Sequence, residues 1–343
     1  MNTKTSSSIS ELVFGELQAL QITPKRLTEI NSWHGHIPFA FWLVKKLEPS
    51  IFVELGVHKG DSYSAFCQAV QLFSLNTACY GVDTWKGEAP TDISDEIIYQ
   101  EYSGYHDDQY ASFSRLIRTT FDDALGYFAD GSVDLLHIDG RHSYEDVKHD
   151  FESWLPKLSA QAVVLFHDIN IREREFGVWK LFHELSQQYP GCTFSFIHSH
   201  GLGVLIVGDK VPDSLQLLCH LEDEDATYVR LAFSTFGKFV EAQATESTLR
   251  SQLNEMDSAN RQMVADRRKT EIESYKYEME LAAALKQQTE ELQRQIEEVH
   301  NALHEKNREI EEAQRGNEML MQSLSMRLTK PLRDLCNLVR RLR

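Results

Sequence analysis

Residues able to hold ligands or move protons recur just after apolar runs in the first half of this chain. Asp139 ends VDLLHID (133–139), inside HIDGRH, and His167 and Asp168 end AVVLFHD (162–168), with Asn170 close behind. If the two runs are adjacent parallel strands, Asp139, His167 and Asp168 meet at one rim. An oxygen-rich set of this kind suits Mg²⁺ or Mn²⁺, and an imidazole widens the choice of metal. His142, three residues past Asp139, is then placed to take a proton from a hydroxyl held on the metal. The same residues also read as strand-end acids capping helices, with His142 at the surface. His137-Ile138-Asp139 spells HxD, the start of an iron facial triad. That site belongs on an all-β jelly roll, and His137 would point away from a strand end, so the iron reading is set aside.

A second cluster lies earlier, where IFVEL (51–55) runs into Gly56-Val57-His58-Lys59-Gly60. Glycine just past a strand lets the backbone turn sharply and approach a ligand. The second glycine opens a helix whose N-terminal amides favour a carboxylate or phosphate. The dinucleotide fingerprint GxGxxG fails because position 58 is His. Glu54-x-Gly56-x-x-x-Gly60 is instead the pattern of S-adenosylmethionine binders. ACYGVD (78–83) ends at Asp83, where an acid accepts the ribose hydroxyls of an adenosyl ligand, and Trp85 stands close enough to stack. The plainer role for Asp83 is a turn cap.

The elements that must position these residues alternate. The apolar runs at 51–55, 78–83, 133–139 and 162–168 are near-continuous, as in strands covered on both faces. Helical periodicity fills 61–73, 122–129, 143–155 and 176–189. TFSFI (193–197) and GVLIV (203–207), joined by a tight turn, resemble a closing antiparallel pair. The expected fold is α/β, a doubly wound and mostly parallel sheet with ligands at the carboxyl ends of its strands.

The back of the chain differs. Sixteen of 17 glycines precede residue 240, and no proline occurs between Pro212 and Pro331. Leu281, Leu285, Leu292, Ile296, Val299, Leu303, Ile310, Ala313, Leu320 and Leu324 form a heptad seam with a stutter at 292–296; Leu249, Leu253, Met256 and Met263 continue it upstream. This predicts a coiled coil over 241–325, joining chains into a homo-oligomer; the alternative is a single solvated helix. Residues 327–343 carry six basic side chains against Asp334, with leucines on one side. Such a segment lies on an anionic membrane surface or on a partner, or simply caps the coil. The expected organisation is a helical or lid segment at 1–45, the α/β domain at 46–210, connecting helices at 211–240, the coil, and a basic tail at 326–343.

Composition excludes several classes. The net charge is −17 over 343 residues, which argues against nucleic-acid binding. No apolar run reaches the roughly 18 residues of a membrane span, and MNTKTSSSIS does not read as a secretory signal. Five scattered cysteines fit a reducing cytosol and offer no zinc site.

Taken together, FVELGVHKGDSYSAFCQAV (52–70), YGVDTWKG (80–87), VDLLHIDGRHSYEDVKHDFESWLPKLS (133–159), VVLFHDINIREREFGVWKLF (163–182) and HGLGVL (200–205) resemble a bacterial family of class I S-adenosylmethionine-dependent methyltransferases. Its members are often encoded with, or fused to, glycosyltransferases of surface-polysaccharide synthesis. The resemblance covers about residues 12–208 and implies a Rossmann-like, seven-stranded sheet with a reversed last strand. It places Glu54, Gly56 and Gly60 at the methionine end of the cofactor, Asp83 at its ribose, and Phe121 and Asp122 near its adenine. It implies Mg²⁺ held by Asp139 and Asp168, and aligns His142 with the relatives' base, commonly a lysine. His167 stands where relatives often carry a second acid. Trp33, His34 and His36, in SWHGHIPFA (32–40), are candidates to contact a sugar, and equally to pack helices; the tyrosine-rich stretch 88–112 reads as a lid or as a grip on sugar hydroxyls. The function implied is O-methylation of a sugar or glycan in O-antigen or capsule assembly, in the cytoplasm or at the inner membrane face. A chain-capping enzyme, spaced from the membrane by its coil, is the sharper form. The competing expectation is a catalytically silent scaffold acting through the coil.

Overall fold

A computed structural model describes residues 22–86, 93–173, 175–267 and 275–341. Seven strands form one sheet in the order β3-β2-β1-β4-β5-β7-β6. They are β1 (Ile51–Leu55), β2 (Ala78–Asp83), β3 (Ser114–Arg118), β4 (Val133–Ile138), β5 (Leu158–His167), β6 (Thr193–Phe196) and β7 (Leu202–Ile206). The first five run parallel, and β7 is reversed between β5 and β6. Strand order reverses between β1 and its neighbours β2 and β4, and a crevice opens there at the strands' carboxyl ends.

Side chains alternate across the pleat and feed two cores. Phe52 joins α1 (Ile37–Leu47), α2 (Asp61–Leu72) and α3 (Ile93–Tyr110) on one face; Val53 and Leu55 join α4 (Phe121–Ala124), α5 (Tyr144–Trp154) and α6 (Val178–Gln188) on the other. A short helix, α7 (Asp213–Cys219), completes the first face. Residues 93–110, expected as a loop or lid, are helical. Tyr102 and Tyr105 turn inward there, and the Arg26 guanidinium lies 4.9 Å from the centre of each ring.

Two long helices follow, α8 (Asp223–Arg267) and α9 (Tyr275–Arg341). The expected boundary at 240 falls inside α8. Val229, Phe233, Phe236, Val240 and Ala244 are buried at helical spacing, and the Phe233 ring meets those of Phe39, Trp42 and Phe196. The two helices pack against each other, and Ile310 reaches the same core as Phe233. Part of the heptad seam, Leu292 and Ile310, therefore meets its own chain, where the sequence pattern points to a second chain or to a lone solvated helix. Residues 326–341 continue α9 through Pro331 and form no separate segment. The first 21 residues of the expected lid segment, and the side chains of Leu281, Ala313, Leu320, Leu324 and most of the basic tail, lie outside the described residues.

Candidate active site

At the crevice a cavity of about 1070 Å³ gathers Gly56, Gly60, Asp83, Trp85, Phe121, Asp122, Asp139, His142, His167 and Asp168. Gly56 has φ +93°, and a Cβ there would overlap the Asp139 carbonyl; Gly60 has φ +79°, and a Cβ would overlap the Tyr102 ring. Both glycines thus answer to backbone conformation and packing before any ligand arrives. Asp83 ties the loop down: its Oδ2 accepts from the Val57 and His58 amides at 3.0 and 2.9 Å, and its Oδ1 from the Trp85 amide at 2.7 Å. A carboxylate has about four acceptor sites, so roughly one stays open to a ribose hydroxyl. The Trp85 indole N–H donates to the His58 carbonyl at 2.9 Å, fixing that ring at the cavity edge.

Glu54 is the first correction. It is wholly buried, is absent from the cavity wall, and accepts from the Ser62 hydroxyl at 2.6 Å and His137 Nδ1 at 2.9 Å. Trp33 donates its indole N–H to His137 Nε2 at 3.2 Å, so the His137 proton sits on Nδ1 and points at Glu54. Because β1 side chains alternate, Glu54 faces this interior relay and not the loop above it. Both His137 ring nitrogens are thus taken, by Trp33 and Glu54, which argues against an iron triad.

The acidic rim is tightly wired. His142 Nε2 lies 2.9 Å from Asp168 Oδ2 and 3.7 Å from Asp139 Oδ1. Phe176 stacks on the His142 ring at 4.7 Å. Ligand atoms of Asp139, His142 and Asp168 all fall within 4.8 Å of one another. Two carboxylates and an imidazole at this spacing fit a divalent cation. His167, expected as a ligand, is not in this set. Its Nε2 faces the carbonyls of Ser32 and Ser199, both at 3.3 Å, and its Nδ1 faces Asp139 Oδ1 at 3.2 Å. Every partner accepts, so both ring nitrogens carry protons. Burial opposes that charge, but Asp139 and then Asp168 push the His167 pKa up to about 9. For His142, burial likewise opposes, and hydrogen bonds to Asp139 and Asp168 raise it to about 10. Burial also disfavours the Asp139 anion, yet the two histidines hold it well below the usual carboxylate range. As a donor to Asp168 His142 keeps its Nε2 proton, and both the general-base role expected of it and a place among metal ligands require that nitrogen to be free.

The remaining candidates separate. Trp33 touches the cavity, whereas His34 and His36 are fully buried and do not. His34 bonds Asp61 at 2.9 Å and His36 bonds the Ser199 carbonyl at 3.0 Å, so both serve packing and not a sugar. Phe121 packs against Gly140, and Asp122 pairs with exposed His149 at 2.8 Å. Sequence reasoning passed over Asp150, Phe176 and His200, which also line the cavity. Asp150 recurs on the α5 face that carries Val147, Phe151 and Trp154, where an acid is out of place; that was the available signal.

Residues 53–169 match the family model described as a methyltransferase domain. The match takes in about a third of the chain. It holds the glycine loop, Asp83 and the whole Asp139–His142–Asp168 set. A curated relative, the uncharacterized protein y4gI of Sinorhizobium fredii, is 49% identical over 185 residues, or 54% of this chain and 20% of the relative. The chain thus spans about one-fifth of the length of the curated relative it matches. Among solved structures, Podospora anserina methyltransferase PaMTH1, bound to S-adenosylhomocysteine, is 12% identical with a TM-score of 0.39, covering 60% of this chain and 96% of that one. The O-methyltransferase TomG of Streptomyces achromogenes, solved with S-adenosylmethionine, gives 12% and 0.39 over 61% and 91%.

Proposed function

We propose that the methyltransferase domain transfers a methyl group from S-adenosylmethionine to a hydroxyl of a sugar or glycan in bacterial surface-polysaccharide assembly, as the family resemblance implies. The observation that carries the reading is the single cavity joining the Gly56–Gly60 loop and Asp83 to the Asp139–His142–Asp168 rim. S-adenosylmethionine supplies a methyl group on a sulfonium, so the leaving group needs no acid. A divalent cation, held by Asp139 and Asp168 with His142 beside them, would lower the pKa of the acceptor hydroxyl. The remaining acceptor site of Asp83 orients the adenosyl end, and Phe176 on the cavity wall offers a flat apolar ring that suits a sugar face. His167, charged and buried, keeps Asp139 ionised. With a cation seated on the two carboxylates, His142 would release the proton it shares with Asp168, leaving a neutral ring to accept the proton of the acceptor hydroxyl. Alignment of hydroxyl and methyl group supplies much of the acceleration. Attachment through the basic tail, assembly into oligomers and partnership with glycosyltransferases belong to the same proposal. Among the described residues no helix is long and apolar enough to cross a membrane.

Calorimetric titration with S-adenosylmethionine and S-adenosylhomocysteine tests the reading. Micromolar affinity that Asp83→Ala weakens at least tenfold is expected. No binding to wild-type protein would remove the enzyme and leave the scaffold.

A further inference from the structure

The turn between β6 and β7 holds three successive left-handed residues, Ser199, His200 and Gly201, with φ of +47°, +68° and +90°. Two of them bear side chains, which resist this conformation unless their surroundings impose it. The Ser199 hydroxyl donates to Glu241 Oε1 at 2.7 Å. Glu241 stands on α8, one turn beyond Gly237, where the helix meets the backbone of Gly35 directly. A Cβ on Gly237 would overlap the Gly35 carbonyl, and one on Gly35 would overlap the Ser199 hydroxyl. The His198 ring also donates to the Gly35 carbonyl, at 3.1 Å.

The other side of the turn touches the acidic rim. The Ser199 carbonyl accepts from His167 Nε2 at 3.3 Å, and His167 in turn bonds Asp139. His200 donates from Nδ1 to Asp168 Oδ1 at 3.1 Å. Both strand-end acids are therefore braced by a single strained turn, and one end of that turn is fastened to the long helix.

We propose that Glu241, on the C-terminal helix, is a positioning residue for the Asp139–His142–Asp168 cluster, acting by anchoring Ser199. The helix following the methyltransferase domain thus supports the active site from behind the cavity wall. The claim concerns the geometry of the cluster and stands apart from the methyl-transfer reading, so its test needs neither cofactor nor acceptor.

The experiment is NMR of the full chain labelled with ¹⁵N-histidine, following solvent exchange of the His167 ring Nε2–H. Exchange is expected to quicken at least tenfold in Glu241→Ala and in Ser199→Ala, and to be no faster in the double variant. Glu241→Gln, whose amide oxygen still accepts the Ser199 hydroxyl, returns it to within about twofold of wild type. Circular dichroism checks that helicity is unchanged. If Glu241→Ala does not fold, the smaller change Ser199→Ala decides. Wild-type exchange in Ser199→Ala, additive effects in the double variant, or failure of Glu241→Gln to rescue would each overturn the proposal.

Discussion

The two halves of α8 do opposite work. From Val229 to Ala244 the helix is a core element, burying one face against α1 and the sheet and touching the turn that braces the acids. From Leu249 onward its neighbour is α9, and Met256 and Ala259 meet Leu292 across a shallow groove. One continuous helix is thus both an inner wall and an outward arm. The lesson is that helical periodicity marks which face is covered and is silent about what covers it.

Substitutions separate these roles. Phe233→Ala removes a ring packed on three aromatic neighbours and should destabilise the protein by about 3–5 kcal/mol in urea unfolding. Met256→Ala, in the outer half, should cost no more than about 1 kcal/mol. Equal losses would mean that the arm is as deeply integrated as the wall.

A smaller effect, of opposite sign, is expected at Asp150. Burial, and then the nearby Asp146 and Asp122, push its carboxyl up to about 7, although His149 and Arg141 pull the other way. Its native pKa lies above the unfolded value, so the native state binds the proton more tightly. The resulting stabilisation is complete below about pH 4 and is lost as pH rises through about 7. Asp150→Asn should therefore stabilise the protein by about 1–3 kcal/mol at pH 8 and leave it unchanged at pH 4. Denaturant midpoints at the two pH values check this, and a gain independent of pH would contradict a buried anion. The least effect belongs to the arm's surface: Arg250→Ala breaks an exposed ion pair with Glu246 and should shift stability by less than about 0.5 kcal/mol.

Much of the fold was legible because its strands are near-continuous apolar runs, and a buried parallel sheet permits little else. The gathering of Asp83, Asp139 and Asp168 was legible for a related reason, since a polar residue closing such a run lands on the carboxyl edge of the sheet, where the cavity opens. Glu54 misled because an acid inside a strand near a glycine loop looks the same whether it faces a ligand or an interior histidine; the pleat decides, and Trp33 and His137 come from distant segments. His142 and His167 could not be told apart as ligands for a comparable reason. Their sequence positions fix which loop carries each ring, while the carbonyls of Ser32 and Ser199 fix where the His167 ring points. The helix at 93–110 was obscured because its inward face is made of tyrosines spaced among acids, which read as a solvated loop.

The glycine-to-glycine contact at Gly35 and Gly237 makes the rotational phase of α8 a mechanical constraint. A helix turns about 100° per residue, so one residue inserted between Gly237 and Glu241 would swing the carboxylate roughly a quarter-turn from Ser199. Beyond Ala244, whole heptads can be added or removed in matched pairs from α8 and α9, so that Ile310 keeps its place in the core. Length in the arm is free to drift; angle at the seat is not.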